Sequence, residues 1–496
     1  MINNIFKRGA VLLLLTTLCI QGCKQDDYVN LLPEYSLDAV NNPSSMAQVE
    51  QVLTGAYANF RANDYYGSGS GTGGGAALMP DVLSDNVYET TQTLANSRAM
   101  ADWIYQKNTA QITNIYSAMY KVISTANIVL RDVDKFTTAA NVTTANRIKG
   151  QALAIRALAH FDLFRYFANT YDRNSTTTLA LYYSKTFAVS PQEKPSRMSN
   201  KVYLDELYND LTAAETLLAN VDTPINPAAG LTRPKLNLTA VHLLRARVSL
   251  YTGQNADAIT SATKGIAIAP ALVSNQATFS GMYTELAAGE IIWNVQFDAG
   301  QSGPTFLVYF ATNSRSYFRP AREVVTLAGT TGLIRPNDIR YAAYFSNVGG
   351  DIALTKYKGK GTVANGNANF IAMKTAELYL IRSEAYARST QDALGATDLN
   401  TLRASRISGY VPEVLTGTAL INAIADERRR ELIGEGHRFF DLKRTTRTIT
   451  RGNTCGNLTI SPTGGCSLPA TAREWTFPIT ETLTNANANL AQNPGW

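Results

Sequence analysis

A chain of 496 residues is long for one core, so two sub-domains or one elongated helical domain with insertions is expected. Charged residues make up only 17%, below the roughly 25% of an average soluble domain, so much of the polarity rests on Asn, Thr, Ser and Gly. The formal net charge of +6 is too small and too dispersed to argue for nucleic acid. The 25 Tyr and an uncharged polar surface suit neutral polar ligands, although many of these Tyr must serve the core.

Lys7 and Arg8 precede GAVLLLLTTLCI (9–20), an apolar run too short to cross a bilayer and suited to a secretory signal. It ends in IQGC, which resembles a bacterial lipobox: the chain is cut before Cys23 and the thiol takes up diacylglycerol. Ile20 stands where Leu is usual, and an ordinary signal peptide with an incidental Cys is the alternative. Residues 1–22 therefore read as a lipoprotein signal and 23–45 as a lipidated tether. Cleavage removes Lys7 and Arg8 and no acid, which lowers the net charge to +4. No later stretch is apolar enough to span a membrane, so the lipid is the expected membrane contact.

Residues 46–62, MAQVEQVLTGAYANFRA, place Val49, Leu53, Tyr57 and Phe60 on one helical face. DYYGSGSGTGGG (64–75) is a flexible loop by composition; it lacks the Gly-Lys-Ser/Thr of a phosphate loop. Helical patterns then come in pairs: 112–133 with 143–168, 201–221 with 237–266, and 370–389 with 393–406. Three of these helices share a phrase, Ile155-Arg156-Ala157, Leu244-Arg245-Ala246 and Ile381-Arg382-Ser383. The pairs resemble tetratricopeptide units, but the irregular spacing makes a scaffold with insertions rather than a tandem array. The insertions at 281–345 and 445–496 read as loops with short strands such as EIIWNVQF. The expected fold is mostly α, a helical-pair scaffold with an irregular, loop-rich second lobe. The expected division is 46–270, with a ligand-side loop at 63–105, and 271–496.

The segment ERRRELIGEGHRFFDLKR (427–444) is dense in acid–base side chains: Glu427, Arg428, Glu431, Glu435, His437, Arg438 and Asp441. A helix over 423–433 sets Glu427 and Glu431 one turn apart, with Arg428 and Arg430 able to pair at i±3. Nothing here has metal-ligand spacing, no cofactor motif occurs, and the chain has three His, so neither a catalytic centre nor a metal site is expected. A glycosidase would need two placed carboxylates in a cleft. The preferred reading is a structural charge network, Arg forks satisfying carboxylates where two lobes meet. Cys455 and Cys466, with a Gly/Pro-rich loop between them, are expected to form a disulfide outside the cytoplasm, two free thiols being the alternative.

Sugars present apolar C–H faces and polar rims, so a sugar site needs exposed aromatics beside Asn, Asp or Arg, and loops can supply both. One candidate region is 64–105, with Tyr65, Tyr66, Asp81, Asp85, Asn86, Tyr88, Trp103 and Tyr105. The other is 309–319, with Phe310, Asn313, Arg315, Tyr317 and Phe318. Trp103 and Tyr317 lead these candidates, and packing into the lobe is the alternative for each. Trp293 and Trp475 fit the core better. Asp81 and Asp85 without EF-hand spacing give little support to calcium.

The lipobox, KGQALAIRALAHFDLFRYFA, FIAMKTAELYLIRSEAYAR, DLNTLRASR, ERRRELIGEGHRFFDLKR and the terminal LAQNPGW occur in that order. Together they resemble the SusD/RagB family, the outer-membrane nutrient-binding lipoproteins of Bacteroidetes, over essentially the whole mature chain. Asp26 and Asp27, close behind Cys23, also resemble the acidic export signal of surface lipoproteins in that phylum. The resemblance implies a tetratricopeptide-like scaffold with a loop-rich ligand face, no enzymatic activity, and a partner: a SusC-like TonB-dependent β-barrel transporter over which the protein sits as a lid. It implies a glycan ligand captured at the cell surface. A peptide-binding member of the same architecture, or a helical-repeat adaptor that binds only protein, are the alternatives.

Overall fold

In a computed structural model the chain is described over residues 43–68, 75–93, 95, 97–187, 193–221, 230–298, 301, 303, 316–452 and 454–496. The signal segment, Cys23, Asp26 and Asp27, most of the Gly-rich run, and Phe310, Asn313 and Arg315 lie outside the described residues.

The chain begins with α1 (Met46–Asn59), whose N-terminus is capped by the Ser45 hydroxyl accepting from the Gln48 N–H. A one-turn α2 (Met79–Val82), β1 (Val87–Glu89) and α3 (Arg98–Ala101) follow. The helical body is α4 (Ala110–Asp132), α5 (Val142–Phe167), α6 (Asn200–Ala219), α7 (Leu238–Tyr251) and α8 (Asn255–Ile268). The irregular part brings α9 (Gln276–Met282), β2 (Ile291–Val295), β3 (Phe318–Pro320), α10 (Ile339–Tyr344), β4 (Phe345–Val348), β5 (Asp351–Leu354) and β6 (Phe370–Lys374). Helices return as α11 (Thr375–Arg388), α12 (Asp392–Arg406), α13 (Gly417–Leu432) and α14 (Arg438–Arg444), before β7 (Ile449–Thr450), β8 (Ser467–Leu468) and α15 (Glu481–Ala486).

The helices stack in a ladder: α1 on α4, α4 on α5, α5 on α6, α6 on α7, α7 on α8, α8 on α11, and α11 on α12 and α13. Helix α5 is buried on all sides from Gly150 to Phe167, which explains a sequence almost free of polar stripe. Gly150 is required there: a Cβ would sit 2.8 Å from Leu218 Cγ of α6. The main apolar core is contiguous from Val49 to Leu490 and crosses residue 270. The fold is thus mostly α, helical pairs with an irregular lobe whose strands form two-stranded sheets among the described residues.

The arginine of the shared phrase has the same job each time. Arg156 of α5 forks onto Asp210 of α6 (2.7 and 2.7 Å), Arg245 of α7 reaches Asp257 of α8 (3.1 Å), and Arg382 of α11 forks onto Asp398 of α12 (2.8 and 2.8 Å). Each is a charge-assisted clamp from one helix to the next.

Two boundaries differ from the periodicity reading. The pattern at 237–266 is two helices, α7 and α8, because the chain turns at Thr252–Gly253, with Gly253 at φ +73°. The helical reading of 370–389 is corrected at its start. Phe370–Lys374 is strand β6, fully buried and paired antiparallel with β2, and the helix begins at Thr375. Long-range pairing with β2 overrides local helical spacing there.

Candidate ligand-binding site

The charge-dense segment forms α13, a Gly-Glu-Gly turn and α14, and its charges face inward. Glu431, fully buried, accepts from Arg406 Nε (3.1 Å) and Arg340 (3.0 Å) and lies 3.3 Å from Lys374 Nζ. Burial alone would raise its pKa, but Arg406, Lys374 and Arg340 hold it well below the usual carboxylate range. Glu427 takes Arg340 (2.6 Å), Arg403 (2.9 Å) and Arg430 (2.8 Å); against the push of burial these cations pull it down to about 2. Glu435 holds Lys356 (2.5 Å) and Lys374 (2.6 Å). Arg428 turns instead to Asp441 (3.1 Å), which also binds Arg444 (2.8 Å). Pairing at i±3 within the helix therefore holds for Arg430 and not for Arg428.

This network reaches into the loop expected to meet ligand. Asp85 is forked by Arg438 (2.7 and 2.9 Å), and Asp81 accepts the N–H groups of Gly434 and Gly436 (both 3.1 Å). Asn86 bridges Asp81 (2.7 Å) and Arg429 (3.0 Å). Burial pushes the Asp81 carboxyl up to about 6, partly offset by Asn86 and the two glycine N–H groups. Placing Asp85 and Asn86 among ligand-facing groups is corrected accordingly: their polar atoms are engaged by the charged segment.

The two candidate loop regions nevertheless meet. Strand β1 pairs antiparallel with β3, Tyr88 opposite Arg319, and the Thr90 N–H donates to the Tyr317 carbonyl (2.9 Å). Tyr317, next to this pairing, is half-buried. Tyr88 is buried, with its hydroxyl 3.3 Å from Asp351.

Three aromatics expected at the surface lie inside. Tyr65 and Tyr66 are buried, stacked at 4.6 Å, and both donate to Asp162 Oδ2 (2.8 and 3.0 Å), so core packing with a satisfied hydroxyl replaces the platform role. Trp103 is 6% exposed; its indole N–H donates to the Leu83 carbonyl (2.9 Å) and the Arg451 guanidinium lies 4.1 Å from the ring centroid. Its backbone takes φ +56°, a region a bulky residue enters only when its surroundings hold it there. Trp293 and Trp475 are buried.

What covers Trp103 comes from the far end of the chain. Cys455 and Cys466 are bonded, and the loop they close lays Gly465 on the ring and gives the Gly464 and Gly465 N–H groups to Asp102 Oδ1 (3.1 and 3.0 Å). Arg451 fastens the same junction through the carbonyls of Ser84, Val82 and Gly465 (3.0, 3.0 and 2.8 Å). A lone Arg after a weak strand gives no sequence signal of this role. Replacing both cysteines by serine is expected to lower unfolding free energy by roughly 3 kcal/mol in the chain-entropy model. Chemical denaturation measures it, and a red shift of Trp emission in the folded state reports uncovering of Trp103.

Comparison with known proteins places this architecture. Residues 322–496 match the family model described as SusD family, and residues 28–232 match one described as starch-binding associating with outer membrane. A SusD-like protein of Formosa agariphila is 24% identical over 352 residues, covering 60% of this chain and 66% of that protein. A SusD superfamily structure from Bacteroides thetaiotaomicron superposes with a TM-score of 0.77 at 21% identity, covering 91% of this chain and 100% of that one. A SusD-like carbohydrate binding protein from Bacteroides vulgatus gives 0.73 at 21% identity, covering 90% and 97%. These structural likenesses show the fold.

Proposed function

The chain belongs to the SusD/RagB family, and from that premise we propose that it captures oligosaccharide fragments at the cell surface and hands them to a TonB-dependent β-barrel transporter of the SusC type. The observation that carries this reading is the β1–β3 pairing, which joins two sequence-distant aromatic loop regions into one face. Tyr317 leads the ligand-contacting candidates of that face. An aromatic ring offers the C–H face of a sugar a stacking partner, and neighbouring amide and guanidinium groups meet its hydroxyls. The mechanism is binding and lid movement, with no bond made or broken.

Calorimetric titration with a panel of oligosaccharides tests this. Tyr317→Ala is expected to weaken binding about tenfold, the scale of ~1.4 kcal/mol, when titrated well below its own melting temperature. Binding of peptides alone, capture of the transporter without any saccharide affinity, or turnover of the sugar would each overturn the reading. The anchor has its own test: Cys23→Ala is expected to lose palmitate labelling and leave the membrane fraction, and retention of both would contradict lipidation at Cys23.

A further inference from the structure

A groove of about 610 Å³ opens where the C-terminal ends of α5, α7 and α14 meet the segment 470–475. Its volume lies within the roughly 300–1,000 Å³ of small-molecule sites. No lining residue is shared with the β1–β3 face. Tyr171, Tyr251 and Trp475 are buried and form its floor, while Asn169 and Asp172 are exposed at its rim. An aromatic floor with a polar rim is the composition a sugar requires.

Two side chains of the groove hold unused hydrogen-bonding capacity. Lys443 donates to the carbonyls of Ala168 (2.7 Å) and Arg165 (3.3 Å) at the end of α5, which leaves one of its three N–H donors. Arg447 binds the Asn422 amide oxygen (2.9 Å) and pairs with no carboxylate among the described residues. Arg444 beside it differs, since Glu384 and Asp441 take up its charge.

We propose that this groove is a second saccharide site, taking a short oligosaccharide with its C–H faces on the Tyr171–Tyr251–Trp475 floor and its hydroxyls on Asn169, Asp172 and the remaining Lys443 donor. Arg447, with no carboxylate of its own, selects sugars that carry one, so uronate-containing chains are favoured over neutral ones. The proposal rests on the reading of the chain as a saccharide binder.

The test titrates the mature protein with an oligogalacturonate and with maltohexaose. The expected result is a binding event that survives Tyr317→Ala and is tighter for the oligogalacturonate. A variant carrying Asp172→Ala and Arg447→Ala weakens it about tenfold or more. Saccharide binding that vanishes in Tyr317→Ala and ignores the groove variants overturns the groove and leaves the capture function standing. Absence of binding to either sugar overturns both.

Discussion

Replacing Glu431 by alanine is expected to remove about 3–5 kcal/mol of stability, the cost of taking one partner from a buried ion pair. Whole proteins are stable by only ~5–15 kcal/mol, so the variant should be marginal or unfolded at growth temperature. The size of the effect follows from charge balance in a closed space. Five buried cations, Arg340, Lys356, Lys374, Arg403 and Arg406, meet five buried carboxylates, Glu290, Asp338, Glu427, Glu431 and Glu435. Removing Glu431 leaves one positive charge without compensation where water cannot reach. Glu431→Gln keeps an acceptor for Arg406 and Arg340 and loses only the charge, so its loss should be smaller. Denaturant unfolding of both variants checks the order, and an alanine variant as stable as the parent would contradict it.

The second large effect is expected at Gly436→Ala. Gly436 sits at φ +77°, and a Cβ there would stand 2.2 Å from the Ala77 carbonyl oxygen, a backbone atom with little room to move. Left-handed backbone costs an L-residue about 1–2 kcal/mol. Relieving the clash also pulls the Gly436 N–H from the buried Asp81 carboxylate, and hydrogen bonds to charged groups are each worth about 1.5–3 kcal/mol. A loss of roughly 3 kcal/mol or more is expected. Gly434 provides the internal comparison. Its φ is +74°, but a Cβ would meet only the Leu354 Cδ2 methyl at 3.2 Å, so Gly434→Ala should lose about 1–2 kcal/mol. Thermal melts of the pair measure the difference, and equal losses would contradict the role given to the Ala77 approach.

Both substitutions act on the segment that looked most like chemistry. Its density of Glu and Arg was legible, and so was a structural use for it, because no metal spacing or catalytic arrangement accompanies those residues. Its partners were not legible. Lys374, Arg406 and Arg340 come from three other elements, and only folding brings them to Glu431. The long helices were readable because apolar spacing is local: α4, α5 and α6 fall within two residues of the periodicity reading. Strand β6 was misread because four apolar residues and a lysine abutting a helix look like its first turn, and the deciding partner, β2, lies far upstream. The repeated arginine phrase was visible, while its aspartates were not, since they stand at different separations from each arginine.

The aromatic loops show the same limit. Nothing near Trp103 in sequence announces Arg451 or Gly465, so an exposed platform was a fair expectation that tertiary structure reverses. The groove was equally hidden, being assembled from the ends of three helices and a late loop. Composition suggested an uncharged, Tyr-rich surface, but every described Tyr is buried or half-buried, because packing and not composition decides which rings reach solvent.

The central claim is that the charged segment builds the scaffold and ligand is met elsewhere. The most direct measurement is saccharide affinity of Glu431→Gln, titrated well below its own melting midpoint. A lowered midpoint with affinity within about twofold of the parent, under ~0.5 kcal/mol, is the result predicted. An unchanged midpoint with lost affinity would contradict the claim and place the segment in the ligand site.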